Sequence, residues 1–376
     1  MEVRTRRRRS HHGALRPPDR PRRAAARVRQ ASRRGPHPQH GARAEGPRRG
    51  VSRAAGSNRQ VEAADLPRQV GIDVGGTKAQ GIALDPDGNV LATAQRPTPR
   101  GADSLSLLVD TLIELADELG ECGSFGVGVP GLVTREGVLR AAPNLDGVAD
   151  FEIARLLGER RGSVAFVDND ATCATVAEWQ LGAARDCDNM ILVTLGTGIG
   201  GGLVANGAVQ RGMNGFAGEF GHMVVDPDGP RCPCGRRGCW ERYASGSGLA
   251  MLAREAATGQ RLHDVVRHAG GDPQAVRGEH VQAAARDGDP EALAVIDDFA
   301  RWVALGLSNL TNAFDPEMFV LGGGLASGAD LYLEPIVRWY GELLYQPHLR
   351  PMPRVEFAEW GPLAGAVGAA LLPTLR

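Results

Sequence analysis

Residues 69–78 read Gln-Val-Gly-Ile-Asp-Val-Gly-Gly-Thr-Lys. Val70, Ile72 and Val74 alternate with small or polar residues, the two-residue period of a half-buried strand, and the strand runs straight into Gly75-Gly76-Thr77-Lys78. A second strand at 79–84, the turn Asp85-Pro86-Asp87-Gly88-Asn89 and a third strand from Val90 make a hairpin-connected sheet. Leu105, Leu108, Leu112, Leu115 and Leu119 then keep the three-four spacing of an amphipathic helix. Asp103 or Ser104 is placed to cap its start and Gly120 its end. Buried strands follow at 125–133, broken by Pro130-Gly131, and at 164–167. The second of these delivers Asp168-Asn169-Asp170 at its carboxyl end, before a helix from 171 to about 182.

The same grammar then recurs. A strand at 190–195 meets the glycine run 196–202, which is read as a turn into a further strand at 203–205, closed by Asn206-Gly207. Val295, Phe299, Val303, Leu307 and Leu310 mark one long helix, with Asp289 as N-cap and Pro290 at its first position. A strand at 319–321 ends in Gly322-Gly323-Gly324, and 363–372 reads as a small-residue helix. Two similar α/β lobes with a cleft between them are the economical fold. The small lobe is expected at 67–171, with the C-terminal helix (363–376) packing back on it, and the large lobe at 172–362.

The 376 residues suffice for two lobes and a large core. The formal net charge of −1 hides an asymmetry: residues 1–60 hold 18 Arg, no Lys and three acids, about +15, against an acidic remainder. Residues 1–66 have no aromatic and almost no large aliphatic side chain, so they cannot bury enough apolar surface to offset ordering and are expected to be disordered. A nucleic-acid arm and a transit peptide both fit Arg-rich, acid-poor composition, but no amphipathic helix accompanies it. The plainer reading is an extension irrelevant to the fold, from an upstream start, with Val51 or Val61 as alternative starts. No secretory or membrane-spanning stretch is present, since 363–372 is short and interrupted by glycine. Six cysteines in such a chain point to a reducing compartment, and the cytoplasm is the expected location.

Chemistry concentrates in a few stretches. The turn after Asp73 lets main-chain N–H groups approach phosphate, adds the Thr77 hydroxyl, and sets a carboxylate where Mg²⁺ would bind, although a plain hairpin turn reads the same locally. Gly196-x-Gly198-x-x-Gly201 matches the dinucleotide fingerprint in letters, but that fingerprint needs a helix directly after the glycines, and a strand follows here. Asp170 reads locally either as a base at a strand end or as the N-cap of the next helix. Between Gly218 and Glu241, Cys232, Cys234 and Cys239 with His222 upstream have the arithmetic of a closed four-ligand structural zinc site, which Glu219 and Glu241 bracket. Cys122, Cys173 and Cys187 read as core or surface residues.

Eight pieces in order, DVGGTK (73–78), GVGVPGLV (126–133), APNL (142–145), DND (168–170), LGTGIGGG (195–202), GEFGH (218–222), CPCGRRGCWE (232–241) and LGGGLA (321–326), resemble the ROK family of sugar kinases and sugar-responsive repressors, and within it the ATP-dependent glucokinases. The resemblance runs from about Gln69 to Gly368. It implies an actin-like, ribonuclease-H-like two-lobe ATPase fold with an inter-lobe cleft, acting as a Mg·ATP-dependent hexose kinase and forming a dimer or tetramer. It implies ATP contacts at Asp73, Gly75, Gly76, Thr77, Lys78, Thr197 and Gly198, with Gly322, Gly323 and Gly324 near the adenosine. It assigns Asp170 as catalytic base, Asn144, Asn169, Glu219, His222 and Glu241 to the sugar hydroxyls, and zinc to His222, Cys232, Cys234 and Cys239. Thr172 departs from the family's usual Asn, and Ala79-Gln80 from a larger apolar residue; both bear on fine substrate choice only. A repressor would need a winged helix-turn-helix, and 1–66 lack the apolar period for one, so no specific nucleic acid is expected.

Overall fold

The computed structural model describes residues 68–142, 145, 147–258 and 261–375; the Arg-rich extension and Asn144 lie outside the described residues. β1 (Gln69–Val74), β2 (Lys78–Leu84) and β3 (Val90–Pro97) form an antiparallel meander, with Asp73 opposite Gln80 across the first pair. α1 (Ser104–Glu118) follows, its buried stripe Leu108, Leu112 and Leu115 set by the leucine spacing. Asp103 holds the N-cap position without a side-chain hydrogen bond. β4 (Ser124–Val129) returns parallel to β1. Pro130-Gly131 then ends that strand, and β5 (Leu132–Val133) pairs with β6 (Leu139–Ala141) as a separate small ribbon. After α2 (Ile153–Arg161), β7 (Val164–Asn169) adds parallel to β4 and leads directly into α3 (Asp170–Gln180).

A second sheet repeats this plan. β8 (Met190–Leu195), β9 (Ile199–Ala205) and β10 (Ala208–Val209) are antiparallel neighbours. Helices α4 (Glu241–Ala244), α5 (Gly246–Ala257), α6 (His263–His268), α7 (Gly278–Arg286) and α8 (Pro290–Phe314) intervene before β11 (Met318–Gly322), parallel to β8. Asp289 caps α8 by accepting from the N–H groups of Glu291 and Ala292, with Pro290 at the first position. α9 (Ala329–Leu343), β12 (Arg354–Phe357) and α10 (Ala364–Leu371) complete the chain. The sheet orders are β3-β2-β1-β4-β7 and β10-β9-β8-β11-β12, three antiparallel strands and then two parallel ones in each. This is the two-lobe α/β architecture that the resemblance implies.

α3 and α10 pack against each other between the two sheets, in an apolar cluster that includes Cys173, Val176, Val367 and Ala370 with Met190 and Val320. Glycine sets the distances. A Cβ on Gly71 or Gly126 would stand 2.1 Å from the Ala366 carbonyl or 1.7 Å from the Ala369 carbonyl, so β1 and β4 touch the α10 backbone directly. One boundary differs from the sequence reading. Gly200, Gly201 and Gly202 belong to β9 and not to a turn, because α3 and the 3-10 turn Phe220–His222 press on that strand. A Cβ on Gly202 would meet the Thr175 hydroxyl at 2.2 Å, and one on Gly201 the Phe220 ring at 2.5 Å.

Candidate active site

Four strand ends converge on one cavity of about 380 Å³. Asp73 comes from the end of β1, Asp170 from the start of α3, Thr197 and Gly198 from the β8–β9 turn, and Gly322 and Gly323 from the end of β11. Glu241, at the start of α4, also lines it. A neighbouring groove of about 700 Å³ shares Gly196 and Thr197 with this cavity and adds Gly324, Ser247, Arg254 and Gly278. Gly75, Gly76, Thr77 and Lys78 do not line the cavity. Their turn is locked by Gly75 N–H donating to the Lys78 carbonyl (2.9 Å), the Thr98 hydroxyl donating to the Gly75 carbonyl (2.7 Å) and Arg100 donating to the Gly76 carbonyl (2.5 Å). The Lys78 ammonium donates to Gln80 (3.2 Å) and Gln95 (3.5 Å), two side chains of its own sheet.

Asp73 is the first electrostatic feature of the site. Burial, followed by the nearby Asp170, raises its pKa to about 7. Its Oδ1 is buried with no hydrogen-bond partner. An unpartnered buried carboxylate oxygen facing an open cavity is the donor chemistry that a hard cation takes.

Asp170 is the second. The N-cap of α3 is Asn169, whose Oδ1 accepts from Thr172 N–H (3.0 Å) and whose amide donates to the Gly131 carbonyl (3.1 Å). The capping alternative for Asp170 is thereby corrected: it is the first residue of the helix, where Oδ1 accepts only from its neighbour Ala171 (2.8 Å). Burial raises its pKa to about 6, and Glu219 adds to the rise. Asp168, two residues earlier, is buried and paired with Arg211, just after β10 of the second sheet (2.6 Å).

The 218–241 segment reaches the cavity through Glu241. His222 Nε2 is 3.9 Å from Glu219 Oε2, and His222 Nδ1 is 3.8 Å from Glu241 Oε1. Glu241 Oε2 lies 3.5 Å from Ile199 N–H, and a Cβ on Gly198 would stand 2.7 Å from that oxygen. The turn and this carboxylate are therefore in contact. Behind them His222, Cys232, Cys234 and Cys239 place one ligand atom each within 4.8 Å of one another. Cys234 Sγ is 3.5 Å from Cys239 Sγ, and Cys232 Sγ is 3.9 Å from His222 Nδ1. Such spacings match the edges of a tetrahedron with metal–sulfur bonds of about 2.3 Å, so the four residues fit a zinc ion. Gly238 (φ 64°) and Gly235 (φ 91°) supply the left-handed turns that bring the cysteines together.

The sequence reading missed one wall. Ala358, Gly361 and Pro362, from the loop between β12 and α10, and Ala364 and Gly365, from the start of α10, line the cavity. A Cβ on Gly365 would touch the Asp73 carboxyl carbon at 2.6 Å. Gly361-Pro362 was a legible loop signal, but nothing local says that the chain returns there to the end of β1.

A family model described as "ROK family" matches residues 69–374. The chain belongs to the ROK family. The glucokinase of Streptomyces coelicolor is 38% identical over 304 residues, covering 80% of this chain and 96% of that protein. The N-acetyl-D-glucosamine kinase of Pectobacterium atrosepticum is 36% identical over 317 residues, covering 80% and 97%. Among solved structures, a ROK family glucokinase from Streptomyces griseus in complex with glucose and AMPPNP superimposes with a TM-score of 0.71 at 36% identity, covering 81% of this chain and 98% of that one.

Proposed function

We propose that this chain is a hexose kinase that transfers the terminal phosphoryl group of Mg·ATP to the 6-hydroxyl of D-glucose, giving glucose 6-phosphate and ADP. The observation that carries the reading is the pairing of two buried carboxylates of raised pKa, Asp73 and Asp170, on one glycine-walled cavity. The 38% identity to a glucokinase over nearly its full length supports the choice of sugar.

In this reading Asp170 is the base. Its Oδ1 is held by the Ala171 N–H, and the carboxylate takes the proton of the sugar 6-hydroxyl as that oxygen attacks phosphorus. A pKa of about 6 leaves it ionised at neutral pH yet basic enough to accept the proton. Asp73 would hold Mg²⁺, which when bound neutralises phosphate charge. The 197–198 turn, which lines the cavity, holds the phosphates, joined on lobe closure by the 75–78 turn that lies outside the cavity wall, and Gly322–Gly324, with the adjoining groove, takes the nucleoside. Asn144, Asn169, Glu219, His222 and Glu241 bind the remaining hydroxyls. Asn169 already caps α3, which leaves it one amide hydrogen for a ligand. His222 serves twice: Nδ1 faces the thiols and Nε2 faces Glu219, so a structural zinc on Cys232, Cys234, Cys239 and Nδ1 would fix the ring for the sugar. Lobe closure excludes water that would otherwise accept the phosphoryl group.

Another hexose is the second reading, favoured by the 36% identity to an N-acetyl-D-glucosamine kinase. A cytoplasmic dimer or tetramer is proposed; light scattering measures the latter. No helix among the described residues is long and apolar enough to cross a membrane. Coupled ADP release with Mg·ATP across glucose, N-acetylglucosamine, N-acetylmannosamine, mannose and fructose tests the assignment. Glucose should give the highest kcat/KM. Turnover with none of them, together with sugar-released binding to specific DNA, would replace the kinase by a repressor.

A further inference from the structure

Glu178 lies eight residues beyond Asp170 on the same helix, α3, and its side chain is completely buried. Its carboxylate is held by main-chain donors from two loops. Oε2 accepts from Ala183 N–H (3.1 Å) and Glu359 N–H (3.1 Å), and Oε1 accepts from Trp360 N–H (2.8 Å). Gly182 makes room for it, since a Cβ there would stand 2.3 Å from Oε2. A buried carboxylate with three N–H donors is a strong, directional clamp, because each bond is to a charged acceptor in a medium with little water.

The clamped segment matters for its position. Glu359 and Trp360 sit in the loop whose neighbours Ala358, Gly361, Pro362, Ala364 and Gly365 form the wall of the cavity missed by the sequence reading. Gly365 is the residue packed on Asp73. The sugar-facing segment 218–241 makes none of these contacts with Glu178.

We propose that Glu178 is a positioning residue for the nucleotide half of the site: it ties the helix that carries Asp170 to the 358–365 wall, and so fixes that wall against Asp73. The inference rests on the kinase reading for what fills the cavity. It predicts a one-sided defect. Glu178→Gln keeps the shape but turns an acceptor oxygen into an NH₂ facing N–H donors, so at least one bond to a charged group is lost.

The test is steady-state kinetics with each substrate varied, on wild type, Glu178→Gln and Glu178→Asp, beside melting curves. KM for Mg·ATP should rise about tenfold or more in Glu178→Gln, the loss of one charge-assisted bond, while KM for the hexose changes less than about twofold and Glu178→Asp falls between. A folded Glu178→Gln protein in which both KM values move together, or neither moves, overturns the proposal. Hydrogen exchange on the wild-type chain decides the matter if the variants do not fold. Slow exchange at Ala183, Glu359 and Trp360, slowed further at 358–365 by a non-hydrolysable ATP analogue, is expected; exchange there at open-loop rates overturns the clamp. A wild-type protein inactive with every hexose would instead remove the kinase reading, and the exchange measurement would still report on the clamp by itself.

Discussion

Asp170 combines two properties that pull against each other. Its carboxylate is desolvated, which raises its pKa to about 6, and it must still be ionised to serve as the base proposed for it. The free enzyme should therefore lose kcat/KM for the hexose below about pH 6 and level off above it, as a rate–pH profile would show. Linkage gives a second, independent sign. The folded-state pKa lies above the ordinary value, so the neutral form is the one the fold favours, and ionisation costs stability as pH rises through the interval from 3.8 to about 6. Asp170→Asn should consequently melt higher than wild type at pH 8 while turning over far more slowly; a lower melting temperature there would contradict the desolvation account. From the local sequence alone Asp170 read more simply as a cap than as a base, and only the family resemblance assigned it as base. The ambiguity lay in the repeated polar letters of Asp-Asn-Asp, and only the backbone geometry shows that Asn169 takes the cap and frees its neighbour.

The elements around the site are held by close backbone contact and by the cysteine loop. α3 and α10 meet where a Cβ on Gly368 would stand 1.6 Å from the Cys173 carbonyl, with backbone on both sides. Gly368→Ala should destabilise the protein by about 1–3 kcal/mol or more through overpacking. Gly123→Ala, with nothing within 4 Å, should lie within about 0.5 kcal/mol of wild type. Chemical denaturation compares the two. For the cysteine loop, metal analysis of purified protein should find about one zinc per chain. Cys239→Ser should lose that zinc and weaken hexose binding, since Cys239 holds the segment that places His222 and Glu241; a folded wild-type sample without zinc would remove the metal site. This loop was legible because ligand spacing is a local property. The role of Gly200–Gly202 was not: three glycines read as a turn, whereas they are a strand stripped of side chains so that Thr175 and Phe220 can reach it. β12 was missed as well, because Arg354-Val-Glu-Phe is a four-residue edge strand with one buried residue, Val355, and its alternation is too short to stand out from a loop.

At the scale of the whole molecule the two sheets repeat one strand order, and the cavity lies where the corresponding hairpins and parallel strands of both end. The repeat was visible in the sequence as strands leading into glycine turns; the turns after β8 and β11 line the cavity, whereas the one at 75–78 does not. The return of 358–365 to the end of β1 was not visible, because it depends on a contact about 290 residues apart in the chain. Arg211 was likewise overlooked, an arginine among many until its pairing with the buried Asp168 ties the end of the first sheet to the chain just after β10 of the second. Catalysis in such an architecture needs both lobes to present their groups to one pair of substrates, and Asp170 stands at that meeting point. The most direct measurement is ADP release with Mg·ATP and glucose, for wild type and Asp170→Asn. Hexose-dependent turnover should be robust in wild type and about 10² to 10⁴ lower in the variant, the worth of a positioned general base. Turnover in a folded Asp170→Asn protein equal to that of wild type would contradict the account.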